Sequence, residues 1–206
     1  MPVYKLSNAG GLTSRQRYTS MLAGNAATIA VTDTGAYFPL QVITVGSAGA
    51  SSITFSNIPS TYTHLQVRAI AKTTTSATKD YEVTYVRFNG DTGSNYALHQ
   101  ITGNGTTAAG GNGVSQTFMY GIYAAKSGPA STFGGGVIDI LDYANTNKYK
   151  TMRVLSGVDE NGFGELGLLS GLWMNTSAIT SITFYPPANN YDQYSSFALY
   201  GIKAAS

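Results

Sequence analysis

The chain has 206 residues and a formal net charge of +2, and only 11% of it is Asp, Glu, Lys or Arg, against roughly 25% in an ordinary soluble domain. So slight a basic excess, with no Lys/Arg run, excludes nucleic acid as an expected partner. The absence of cysteine excludes disulfides and thiolate chemistry. Gly (24) and Tyr (15), with many Ser, Thr and Asn, take the place of charge. Such a surface suits lasting contact, or alternatively a charge-poor secreted β-protein. The start, MPVYKLSNAGG, lacks the apolar centre of a secretion signal, and no apolar run reaches membrane-spanning length. Synthesis in a cytoplasm, without membrane insertion, is therefore expected.

Residues 1–39 read as an arm. Thr13 or Ser14 can cap a short helix over 15–23 that Gly24-Asn25 would end. A helix of that length needs a surface to lie on. The surface is either its own domain or a partner, and the segment can equally be extended or a frayed terminus. Arg15, Arg17, Tyr18, Met21 and Leu22 are the anchoring contacts expected of it.

From residue 40 the period-two alternation of half-buried strands takes over. Strands are predicted over 40–45 and 52–55. Another follows over 62–72, after an Asn57-Ile58-Pro59 break that cannot sit inside a central ladder. Further strands are predicted over 81–89, ending at the turn signal Asn89-Gly90, and over 96–101. Residues 102–116 read as a flexible, Gly-rich loop. The rest are 117–125, 136–143, 148–157, 165–174, 179–185 and 195–203, with Asn161-Gly162 marking a hairpin. About ten short strands with mixed connection lengths and no helical period predict an all-β, jelly-roll-like sandwich over 40–206. In 165–174, Leu166, Leu168, Leu172 and Met174 share one phase and are expected in the core, with Leu169 and Trp173 on the other face. The final strand is apolar on both faces, which suggests a subunit interface.

The search for chemistry ends without a catalytic, metal or cofactor site. His64 and His99 have no second ligand at metal spacing, and Asp139 and Asp142 lie three apart, on opposite faces of a strand. The turn 159–162 lacks calcium-loop spacing, and the Gly-rich run 109–113 precedes no helix that could hold a phosphate. No nucleophile motif or nucleotide fingerprint occurs, so enzymatic activity is not expected. Binding is a different matter, because Tyr and Trp offer flat, rigid contact area with a polar edge. Trp173, Tyr96, Tyr120, Tyr123 and Tyr191 are the candidate receptor or interface contacts, with packing in the core as the alternative for each.

Several segments together resemble a group of tailed-bacteriophage virion proteins, found especially in phages of marine and freshwater bacteria (cyanophage-like). They are KLSNAGGLTSRQRYTSMLAGN, SSITFSNIPSTYTHLQVRAIAK, VRFNGDTGSNY, VIDILDYANTNKYKTMRVLSG, SGLWMNTSAITSITFYP and SSFALYGIK, which cover nearly the whole chain. The resemblance implies a structural, tail-fibre-like component of the virion, assembled in the host cytoplasm. Its arm would dock to tail, neck or capsid proteins, and its β-domain, expected as a homotrimer, would face the host surface and its glycans. The alternatives are a capsid decoration (cement) protein and a free lectin-like module dependent on Trp173.

Overall fold

The alternation becomes twelve strands in the computed structural model, which describes residues 37–77, 80–128 and 131–203. They are β1 (Tyr37–Thr44), β2 (Ile53–Phe55), β3 (His64–Ala71), β4 (Tyr81–Phe88), β5 (Tyr96–Gly103) and β6 (Ala108–Gln116). The second half holds β7 (Met119–Ala125), β8 (Gly134–Leu141), β9 (Lys150–Asp159), β10 (Gly164–Trp173), β11 (Ile182–Tyr185) and β12 (Ser196–Ile202). Arg15, Arg17, Tyr18, Met21 and Leu22 lie outside the described residues. β1 begins at Tyr37, so Tyr37, Phe38 and Pro39 pair with Ile202, Gly201 and Tyr200 although the sequence reading gives them to the arm. Pro39 is tolerated because β1 is an edge strand with an irregularity between Pro39 and Gln41.

The strands form an antiparallel sandwich of an eight-stranded sheet, β1-β12-β3-β8-β9-β10-β5-β6, and a four-stranded sheet, β2-β11-β4-β7. The connectivity is that of one long hairpin rolled up. With β5, β6, β9 and β10 set aside, the first strand pairs with the last (β1 with β12) and the second with the second last (β2 with β11). β3 then pairs with β8, and β4 with β7. Each strand of the first half is thus nested against its counterpart in the second half. The β5–β6 and β9–β10 hairpins join each other through β10 and β5 and widen the larger sheet beyond β8.

Apolar residues of the two inner faces fill the space between the sheets, with Phe184 in contact with Phe55 and Phe197, and Trp173 edge-on to Phe88. Burial of this surface drives the fold, at about 25 cal/mol per Å² removed from water. Two sequence expectations are corrected here. On β10 the inward phase is Gly167, Leu169, Gly171 and Trp173: Leu169 and Trp173 are 2% and 1% exposed, whereas Leu166 and Leu168 are 60% and 58% exposed. The reason is that β7 supplies the volume. The Tyr123 ring and the Met119 side chain lie where Gly167 and Gly171 have no side chain. Leu172 and Met174, on the outward phase, are half-buried. The second correction concerns 102–116, which forms the end of β5, a tight turn and the edge strand β6. Asn104 Oδ1 closes that turn by accepting from the backbone N–H groups of Thr106 and Thr107, at 3.0 and 2.9 Å.

Candidate functional site

The outward phase of the four-stranded sheet carries an aromatic cluster. Tyr85 on β4 has Tyr185 of β11 as its register partner on one side and Tyr120 of β7 on the other, which puts three tyrosines in one row across the sheet. Phe118, just before β7, stacks on Tyr85 with ring centroids 3.8 Å apart and planes 15° from parallel. Tyr120 is also stacked, at 6.1 Å from Tyr85, and Tyr185 meets Tyr85 edge-on at 5.6 Å. Arg87, one step along β4 on the same face, places its guanidinium carbon 4.8 Å from the centre of the Tyr185 ring. Its Nε donates to Thr117 O at 2.8 Å, so the cation is fixed in place over the ring. Thr183 and Thr54 are its register neighbours beyond, and their hydroxyls lie 3.1 Å apart. The four aromatic side chains and Arg87 are all half-buried.

The electrostatics are those of a neutral hydrogen-bonding surface with one fixed cation. Burial pushes the Tyr85 hydroxyl above its ordinary value, helped by Tyr120 and Glu82. Burial also raises Tyr185, opposed by Arg87 and helped by Tyr85. The Tyr85 and Tyr185 phenols are therefore protonated at physiological pH. The Tyr185 hydroxyl is buried and has no hydrogen-bond partner among the described residues. The cluster holds no carboxylate, histidine or thiol to act as base or nucleophile. What it can do is bind: stacked Tyr with Arg is the composition of interface hot spots.

Of the aromatic residues expected at a contact surface, only Tyr120 lies in this cluster. Trp173, Tyr96, Tyr123 and Tyr191 are in the core, each at most 1% exposed, which corrects the expectation for them. Each fills space between the sheets. The Trp173 indole N–H donates to Asp91 Oδ2 at 2.7 Å, and the Tyr96 hydroxyl donates to Asp91 O at 3.1 Å. The two residues thereby pin the β4–β5 connection from inside. Tyr123 lies beneath Gly167 against Tyr81, and Tyr191 packs edge-on against Phe197. Tyr85, Tyr185, Phe118 and Arg87 were not singled out in the sequence. The signal that would have found them is the outward phase of 81–88, Tyr81, Val83, Tyr85 and Arg87.

Several other chemistry-bearing groups hold the fold together. His64 Nδ1 accepts from the Asp142 backbone N–H at 2.9 Å, and Lys148 pairs with the Asp142 carboxylate. Lys150 is fully buried, its ammonium donating to the carbonyls of Asn145, Lys148 and Thr176. A cleft of about 900 Å³ opens between the tips of the β5–β6 and β9–β10 hairpins, lined by Asn104, Thr106, Phe133, Asp159, Phe163 and Glu165 among others. Its lining contains no His, Lys or Arg. Among the described residues no three His, Cys, Asp or Glu side chains are grouped to hold a metal ion. No protein-family model, curated protein or solved structure matches the chain.

Proposed function

We propose that this chain is a non-enzymatic structural protein of a tailed-phage particle, an appendage of tail or neck. The segment before β1 docks to the particle, and the sandwich turns the Tyr85 cluster toward the host surface. The observation that carries the reading is the row Tyr185–Tyr85–Tyr120 with Phe118 and Arg87 on the outer face of the four-stranded sheet. A rigid, neutral aromatic surface with one cation binds through area and hydrogen bonds, and it has no group that could turn over a substrate. The low charge, the abundant Tyr and Gly, and the resemblance to virion proteins support the same reading. The lectin alternative loses its motivating residue, since Trp173 is a core side chain.

Locating and counting the chain in a cryo-EM reconstruction of the intact particle tests the placement. A small symmetric set at tail or neck is expected. Density spread over the shell lattice would make the chain a decoration protein instead, and absence from the particle would end both readings. Particles carrying Tyr85→Ala and Tyr120→Ala should adsorb to host cells at least about tenfold more weakly, as loss of a contact hot spot requires. Unchanged adsorption with intact particles would remove the receptor-facing role from this cluster.

A further inference from the structure

The outer face of the eight-stranded sheet is a second, chemically different surface. Its register lines up Val42, Ala198, Arg68, Val137, Leu155, Leu168 and Ile101 in one row that crosses β1, β12, β3, β8, β9, β10 and β5. In that row Leu155 and Ile101 are 56% and 66% exposed, and Leu166 and Ile70 lie exposed in the next row. Contiguous exposed aliphatic side chains of this number mark an interaction surface. Eight strands at about 4.8 Å spacing and about seven residues at about 3.3 Å rise give a face of roughly 900 Å², enough for the roughly 800 Å² that each partner contributes to a standard stable interface.

We infer that this face pairs with the same face of a second copy, about a twofold axis that runs parallel to the strands through the seam between β8 and β9. The seam is the midpoint of the sheet, with four strands on either side. The rotation lays β8 over β9 and β3 over β10, and three independent features then agree. Asp139 and Arg153 occupy matching positions on either side of the seam, so Asp139 of each copy meets Arg153 of the other, twice. Val137 meets Leu155, and Ile70 meets Leu166. A dent of about 330 Å³ lined by Arg68, Ile70, Gly136, Val137 and Ser196 lies on the β3–β8 half, and the protruding Leu155, Leu166 and Leu168 lie on the β9–β10 half that comes to cover it. Arg68 does not obstruct this contact. Its Nε donates to Gln66 Oε1 at 3.0 Å and its guanidinium carbon lies 5.9 Å from the Tyr200 ring, so the charge is drawn toward the neighbouring polar row. Sheets packed face to face keep their strands within about 30° of each other, close enough for these pairs to meet. The pairing is independent of where the protein works, and it leaves the Tyr85 cluster on the opposite sheet uncovered.

The molar mass of the full chain in solution, by light scattering and sedimentation equilibrium, tests the inference. Wild type should be a dimer. Leu168→Glu, an exposed position, should raise the dimer dissociation constant by about a hundredfold, because a twofold axis repeats each loss. Asp139→Arg or Arg153→Asp alone should also favour monomer, and the two combined should restore the dimer, with circular dichroism confirming that every variant folds. A monomeric wild type at micromolar concentration would overturn the inference. So would a dimer or trimer unmoved by Leu168→Glu, or failure of the double charge reversal to restore association.

Discussion

A methyl group added at Gly167 would lie 2.2 Å from the Tyr123 hydroxyl oxygen and 2.6 Å from its Cζ. The ring cannot retreat easily, because Tyr81 packs against it with ring centroids 4.7 Å apart. Gly167→Ala should therefore cost about 1–3 kcal/mol of stability. Gly171→Ala meets Met119 Sδ at 2.5 Å, and it should cost less because a thioether can turn aside. Urea denaturation followed by emission of Trp173, the only tryptophan and a buried one, measures both. The same residues make a sharper pair of predictions. The Tyr123 hydroxyl is buried without a hydrogen-bond partner among the described residues, so Tyr123→Phe should be neutral or stabilising. The Trp173 indole N–H is bonded to the Asp91 carboxylate, so Trp173→Phe should cost at least about 1.5–3 kcal/mol, the range for a hydrogen bond to a charged group. That variant is followed by circular dichroism.

At the scale of elements, the turn between β9 and β10 shows how local chemistry sets register. Asn161 and Gly162 both adopt left-handed backbone, φ 53° and 99°, as a two-residue hairpin turn of this type requires. Gly162→Val should cost about 1–2 kcal/mol through strain at positive φ, measured by the same unfolding curve. This hairpin was legible in the sequence because Asn-Gly carries its own conformational preference, and the alternating segments were legible because one face of each is buried. β6 was not. Its sequence, AAGGNGVSQ, has exposed positions on both faces, so no alternation was selected and a Gly-rich strand looks like a loop. The face assignment on β10 failed for the opposite reason. Leucine content pointed one way, while the true inward face was half glycine, filled by side chains of a strand some 50 residues earlier in the chain. The Tyr185–Tyr85–Tyr120 row was out of reach because it exists only through register between three strands far apart in sequence. Periodicity places a residue on a face of its own strand and says nothing of its neighbour across the sheet.

For the whole molecule, ionisation bounds stability on both sides of neutrality. The Asp142 carboxyl is held below its ordinary value by the hydrogen bond from Lys148, which outweighs desolvation, with the charges of Lys148 and His64 adding to it. Desolvation opposes the lowering at Asp80 and Asp91. It is outweighed by Lys126 and the Tyr81 N–H at the first, and by Trp173, Asn95, the Gly93 N–H and Arg87 at the second. A depressed folded value means stability that is present above the unfolded carboxylate value, near 3.8, and lost as pH falls through the folded values. The core tyrosines act in the other direction. Burial pushes Tyr96 up to about 12 and raises Tyr123 and Tyr191 as well. A raised tyrosine value gives stability that is complete below the ordinary value of 10.0 and lost as pH rises through the folded values. A melting temperature flat from about pH 5 to 9 and falling on both sides is expected. On the alkaline side the loss should coincide with the rise of tyrosinate absorbance, and Tyr96→Phe should move that limb while leaving the acid limb in place.

The rolled hairpin also decides where the sandwich begins and ends. Tyr37, the first residue of β1, is the register partner of Ile202, the last of β12, so entry and exit lie side by side at one corner of the larger sheet. Neighbouring ends make a chain indifferent to where it is cut. Joining Lys203 to Tyr37 through a few glycines and reopening the backbone at Gly105, in the turn between β5 and β6, should give a circularly permuted protein with the same two sheets. Its circular dichroism should match the parent, and its new termini would emerge at the far edge of the same sheet, a place from which an added peptide could be displayed without disturbing either broad face.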